Sequence, residues 1–175
     1  MMLLSFAQTF FGLSGNEAVI VKSGRRLCGT GAALGNTPIF QNKVYFEVKL
    51  QQTGIWGIGL ATRNVDCSSI PLGGDGESCV LRHDGKLYYD HSVLSSIPGP
   101  LPEEGDIIGV SYDHTELQFY LNGESMNCSM NAPKGKTLCP VVYVDDGAIL
   151  DVFFNEFQFP PPRGFSALMM EQTIL

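Results

Sequence analysis

The chain has 175 residues, 44% of them hydrophobic and only 17% charged, with a formal net charge of −7. That length supports one sizeable core rather than two domains, and a charge content below the roughly 25% of an ordinary soluble domain means that much is buried or that the surface is largely neutral. The negative balance, with no basic run beyond Arg25-Arg26, excludes a surface that tracks nucleic-acid phosphates.

Residues 1–13 are apolar but lack a basic leader and a small-x-small cleavage site, and they fall short of the ~20 apolar residues a membrane span needs. Residues 1–17 are therefore expected to pack on the domain, with no membrane span and a cytoplasmic location. Ala18–Val21 and Arg26–Cys28 then read as strands around a Ser23-Gly24 turn, followed by longer strands at Val44 to Gln51 and Ile55 to Thr62. Cys79–Leu81 and Leu87–Tyr89 flank a second turn at Asp84-Gly85. Ile108, Val110 and Tyr112, then Leu117, Phe119 and Leu121, alternate with small or polar residues at the two-residue period of half-buried strands. Asn122-Gly123 closes the next hairpin, because both residues tolerate the positive φ of a type I′ turn. Leu138 to Val144 and Ile149 to Phe154 complete the pattern.

No window shows a sustained helical stripe, so about eleven strands in an all-β, two-sheet antiparallel β-sandwich is the predicted fold. Gly29 to Asn42, Arg63 to Glu77, His91 to Glu104, Ser129 to Thr137 and Asp145-Asp146-Gly147 read as loops. After Pro160-Pro161-Pro162 the chain leaves the domain, taken as 18–159. Residues 160–175 form a tail packed back on it, in which Phe165, Leu168, Met169 and Gln172 have helix-like spacing.

Chemistry has little foothold in these residues. Five cysteines, an odd set without CxxC spacing, predict reduced buried thiols rather than a zinc site or disulfides. Gly29-Thr30-Gly31-Ala32-Ala33-Leu34-Gly35 resembles a dinucleotide fingerprint, but Pro38 cuts short the helix that fingerprint must open. His83, His91 and His114 each neighbour an aspartate, Asp84, Asp90 and Asp113, without a nucleophile elbow to complete a triad, and Asp145-Asp146 lacks the spacing of a calcium loop. No enzyme activity, cofactor or metal is expected. Trp56, the single tryptophan, is expected between the sheets, and Gly57 and Gly59 imply a close backbone or side-chain approach. Thr173-Ile174-Leu175 has the form of a terminus that strand-adding grooves capture.

Several segments carry a resemblance in the right order. Tyr45-Phe46-Glu47-Val48 followed by Trp56-Gly57-Ile58-Gly59-Leu60-Ala61 is the first pair, and Gly105-Asp106-Ile107-Ile108-Gly109 with Phe119-Tyr120-Leu121-Asn122-Gly123 the second. With Pro140-Val141-Val142 leading to Asp151-Val152-Phe153-Phe154, they resemble the SPRY (B30.2-related) family over Ala18 to Phe154. The resemblance implies a concanavalin-like jelly-roll sandwich that binds proteins or peptides through loops at one end and catalyses nothing. In the SOCS-box branch of that family, peptides of Asp-Ile-Asn-Asn-Asn type sit among a first long loop, a Leu-Tyr strand and a Val-Trp-Gly turn. Leu87-Tyr88 matches that strand, Asp145-Asp146-Gly147 stands at the turn, and Gly29-Thr30-Gly31 replaces a more basic segment. The implied partner-binding residues are Thr30, Gly31, Tyr88, Asp145, Asp146 and Gly147, and the acidic pair implies a basic protein or peptide partner. No RING or SOCS-box residues are recognisable, so any part in ubiquitin transfer is expected to be as adaptor or substrate. The chain is expected to be monomeric alone. A structural subunit buried in a larger assembly is the alternative, supported by the low charge and the apolar N-terminus.

Overall fold

The computed structural model describes residues 11–169; residues 1–10, Gln172 and the terminus at 173–175 lie outside the described residues. In chain order the strands are β1 (Phe11–Ser14), β2 (Ala18–Val21), β3 (Arg26–Gly29), β4 (Gly31–Gly35), β5 (Val44–Gln52), β6 (Ile55–Ala61), β7 (Ser78–Arg82) and β8 (Lys86–Tyr89). They continue as β9 (Ser92–Ser96), β10 (Ile107–Tyr112), β11 (Glu116–Leu121), β12 (Glu124–Asn131), β13 (Cys139–Asp145), β14 (Ile149–Phe153) and β15 (Ser166–Ala167). One sheet has the order β1-β4-β13-β6-β7-β8-β9; the other has the order β12-β11-β10-β5-β14-β3-β2, with β15 added parallel to β5. All other pairings are antiparallel, and no helix occurs among the described residues.

Alternation along the strands builds the core between the sheets. Val44, Phe46, Val48 and Leu50 of β5 join Ile108, Val110 and Phe119, and Val110 lies directly across from Phe46. Trp56, Ile58 and Leu60 of β6 meet them from the other sheet in the same buried cluster, with Trp56 only 2% exposed. Asn122 and Gly123 both have positive φ, 48° and 87°, as the two-residue turn between β11 and β12 demands.

Each sheet is also covered on its outer face. On the β5 side Tyr45 and Glu47 point away from the core yet are buried, because the chain after β14 folds back across them: Phe157 packs edge-on to Tyr45 with ring centroids 4.9 Å apart. On the β6 side Ala32, Leu34, Val80, Val141 and Tyr143 form a second apolar cluster with Val65, Cys67 and Leu72 of the loop between β6 and β7. Thr62 N–H donates to Glu77 O at 2.8 Å to close that loop, and Ala32 N–H donates to Cys67 O at 2.8 Å to seat it on β4. The two strand glycines are explained here. A Cβ at Gly57 would lie 1.9 Å from the Tyr143 ring, and one at Gly59 would lie 2.0 Å from Cys79 O.

Four expectations are corrected. Gly31–Gly35, read as loop, is a strand buried along its whole length, whose small residues fit between β1 and β13 without the β-branched signature. The 91–104 loop contains β9, and β12 runs to Asn131 into the loop predicted from Ser129. The described part of the tail, up to Met169, is extended rather than helical: Ser166 and Ala167 pair with Val44 and Tyr45, which places Leu168 in the core cluster. These additions, with β1, raise about eleven predicted strands to fifteen among the described residues. The five cysteines are unpaired, and burial pushes the Cys67 thiol up to about 11 and Cys79 to about 12, far from thiolate at neutral pH.

The outer face of β14 carries an ion pair. Arg26 Nε and Nη2 donate to the two Asp151 oxygens at 2.6 and 2.9 Å, Gln51 Nε2 donates at 2.8 Å, and Lys22 Nζ stands 3.7 Å away. Burial alone would raise the Asp151 carboxyl, but the guanidinium beside it holds it below the usual carboxylate range.

Trp56→Ala is expected to cost on the order of 3–5 kcal/mol in urea denaturation, and a loss below about 1 kcal/mol would take Trp56 out of the core. Because the folded pKa of Asp151 is depressed, its stabilisation is present in full above the unfolded value of about 3.9 and is lost as pH falls through the lower folded value. Asp151→Asn should lower the urea midpoint at neutral pH and flatten its decline below about pH 4. An unchanged acid limb would contradict that assignment.

Candidate functional site

The chain reaches its candidate site where β3 of one sheet hands over to β4 of the other. Thr30 N–H donates to Glu17 O at 3.1 Å, so the glycine-rich run is a crossing between strands and opens no helix. Gly31 pairs with Val144 and is buried. Thr30 is half-buried and donates its hydroxyl to Asp145 Oδ1 at 3.1 Å, and the same oxygen accepts Asp146 N–H at 2.8 Å. Asp146 and Gly147 follow with φ of 49° and 82°, and Ala148 N–H returns to Asp145 O at 3.1 Å, which makes the Asp-Gly pair a tight turn between the sheets. The acidic pair is thus divided: Asp145 is turned into the frame, while Asp146 and Gly147 are exposed.

The row continues across the sheet. Asp145 lies opposite Ile55, and Trp56 O accepts His83 N–H at 2.9 Å, so the Asp84-Gly85 turn stands at the same end. Asp84 accepts Lys86 N–H at 3.1 Å through one oxygen and the Tyr88 hydroxyl at 2.5 Å through the other. The Arg82 guanidinium stacks 3.7 Å above the Tyr88 ring while its Nε and Nη2 donate to Leu72 O at 2.9 and 2.6 Å. Tyr88 is half-exposed, and its ring and hydroxyl are both held. It stands three strands from Asp145 in sheet order, about 14 Å across the sheet at ~4.8 Å per strand, and its register with Val80, Gly59 and Val141 sets it four residues further along the strands than the Asp145–Ile55 pair.

The sequence-derived residues therefore form two groups, one in the turn row and one on the outer face of the sheet further along the strands. Thr30, Gly31, Asp145, Asp146 and Gly147 are contiguous, whereas Tyr88 belongs with Arg82 and Asp84. Sequence reasoning passed over Arg82. The signal was there: period-two alternation puts Arg82 on the face of Val80, and Val80 pairs with Tyr88 across the hairpin. Between the groups lies Tyr143, whose ring crosses Gly57 and whose hydroxyl is buried without a hydrogen-bond partner among the described residues. Burial raises its pKa, with Arg82, Asp84 and Tyr88 all near enough to act on it.

The histidines do not converge. His114 bonds Gln41 O at 2.8 Å, and Asp90-His91 is a turn with φ of 50° and 64°. Among the described residues no three His, Cys, Asp or Glu side chains are placed to hold a metal ion.

Residues 43–157 match the family described as SPRY domain. SPRY domain-containing protein 7 of Gallus gallus is 53% identical over 161 residues, covering 91% of this chain and 82% of the relative. Among solved structures, the SPRY domain of human HERC1 superposes with a TM-score of 0.68 at 16% identity, over 84% of this chain and all of that domain. The TRIM65 PSpry domain gives 0.65 at 14% identity over 86% and 97% of the two chains. At these identities the two structures bear on the fold alone.

The hydrogen bond to Asp84, ahead of partial burial, raises the Tyr88 pKa above the ordinary tyrosine value. In a spectrophotometric titration against Tyr88→Phe, the Tyr88 contribution is expected above about pH 10, and Asp84→Asn should bring it down. A Tyr88 component that ignores the Asp84 change would remove the contact.

Proposed function

The chain belongs to the SPRY domain family, and from that premise we propose that it is a non-catalytic cytoplasmic interaction module whose sandwich end takes a basic peptide or protein surface. The observation that carries this reading is Tyr88, a half-exposed aromatic ring immobilised by Arg82 and Asp84. A ring already held in place costs a partner little ordering entropy on contact. The charge of the end supports a basic partner: Asp84 and Asp146 are exposed on it, while the Arg82 guanidinium is directed at Leu72 O. Thr30, Gly31 and Asp145 shape the turn that presents Asp146 and Gly147.

The alternative, a subunit of a larger assembly, is favoured by one other surface. Phe40 and Met169 are 75% and 71% exposed and share a depression with Pro38 and Arg63.

A panel of fluorescent peptides differing only in charge, titrated against the intact chain at low salt, separates the two readings. Basic members are expected to bind. Asp146→Lys should slow association, with the loss shrinking as salt rises, and Tyr88→Ala should speed dissociation by about tenfold. Binding unchanged in both folded variants, but lost in Phe40→Ser, would transfer the interaction to the other surface.

A further inference from the structure

β9 is the last strand of its sheet and is paired on one side only, to β8. An unpaired strand edge presents a row of free N–H and C=O groups, and proteins blunt such edges with charged residues, with Pro, with β-bulges or by keeping the strand short. β9 is short and its pairing with β8 has one bulge, but it has no charge and no Pro: its sequence is Ser-Val-Leu-Ser-Ser, and residues 91–102 contain no Asp, Glu, Lys or Arg in a chain of net charge −7. Val93 and Leu94, at the register shift of the β8–β9 pairing, are 50% and 47% exposed, and Leu101 is 50% exposed. Just past the C-terminal end of the strand lies a groove of about 350 Å³, lined by Ile97, Pro98 and Pro100 and by Leu121, Glu124 and Met126. Glu124 is its charged residue.

We propose that β9 accepts an extended segment of a partner protein as an added strand, with an apolar side chain of that segment in the groove and a Lys or Arg beside it meeting Glu124. Strand addition supplies main-chain hydrogen bonds, and the groove supplies the side-chain preference. Charge selects the occupant. A second copy of this chain would bring its own −7 and its own Glu124 to the contact, whereas a basic segment is attracted and steered. This surface rests on β9 and β12, with Tyr88 across from Val93 on the paired side of β9 and the added strand on its unpaired side.

The test uses a random dodecapeptide display library selected against the intact chain. Enriched sequences are expected to alternate apolar with small residues and to carry Lys or Arg. Synthetic copies should bind Leu94→Asp at least about tenfold more weakly, a loss of about 1.4 kcal/mol. Glu124→Lys should weaken them in a salt-dependent way. Leu94 and Glu124 are both exposed, so the variants should keep the wild-type urea midpoint. Hydrogen exchange should slow at Ser92–Ser96 when peptide is added. No enrichment, peptides that bind both variants like wild type, or protection confined to residues 145–147 would each overturn the proposal.

Discussion

A carboxylate with no exposed surface, Glu47, fixes how the second sheet is closed. It accepts the Tyr45 hydroxyl at 2.9 Å from its own strand and the main-chain N–H groups of Gln158 and Phe159 at 2.7 and 3.1 Å from the returning chain. Taking such a charge out of water without partners would cost on the order of several kcal/mol, so the group is tolerable only when its oxygens are satisfied. The segment after β14 has to lie where those donors are. Its position then brings Phe157 against Tyr45 and Phe159 beside Gly123, and turns what would be a solvent-facing sheet into a buried layer.

The first sheet reaches the same condition by apolar means. The loop closed by Thr62 and Glu77 lays Val65, Cys67 and Leu72 on Val80, Val141 and Tyr143. With the central strands of both sheets covered on both faces, few of their residues meet water, which accounts for the low charge content without appeal to a large sticky surface. It also decides where partners can go. A covered face offers no docking area, so what remains are the ends, where turns emerge, and the outermost strands.

Legibility in the sequence followed the same division. Strands that alternate large apolar with small or polar residues, such as β10 and β11, showed the two-residue period, and Asn122-Gly123 and Asp84-Gly85 marked the β11–β12 and β7–β8 hairpins. Strands that break the period were missed for opposite reasons: β4 is buried on both faces and made of Gly, Ala and Leu, while β9 is exposed on both. The tail was misread because its apolar spacing is equally compatible with an extended run, and pairing to β5 decides between them. At the candidate site the individual residues were readable but their grouping was not. That Asp145 turns inward to Thr30 depends on a crossing between sheets, which no local pattern encodes. Arg82 depended on hairpin register, and the glycines at 57 and 59 announced a close approach without naming Tyr143 as its cause.

The hairpin of β7 and β8 ties the two remaining surfaces together. Asp84, in its turn, bonds the Tyr88 hydroxyl and the Lys86 amide, while Ile97 and Leu101 pack over Gly85 in the same turn. Tyr88 in turn lies opposite Val93, and the β8–β9 register shifts between Leu87 and Tyr88. The extra residue is Leu94 on β9, and a bulge bends the strand that carries it, so β9 bends where it runs beside Tyr88. Whatever lengthens or straightens β9 therefore acts on the ring through one strand and one turn. Only an element with two arrangements would convert that contact into coupling between sites.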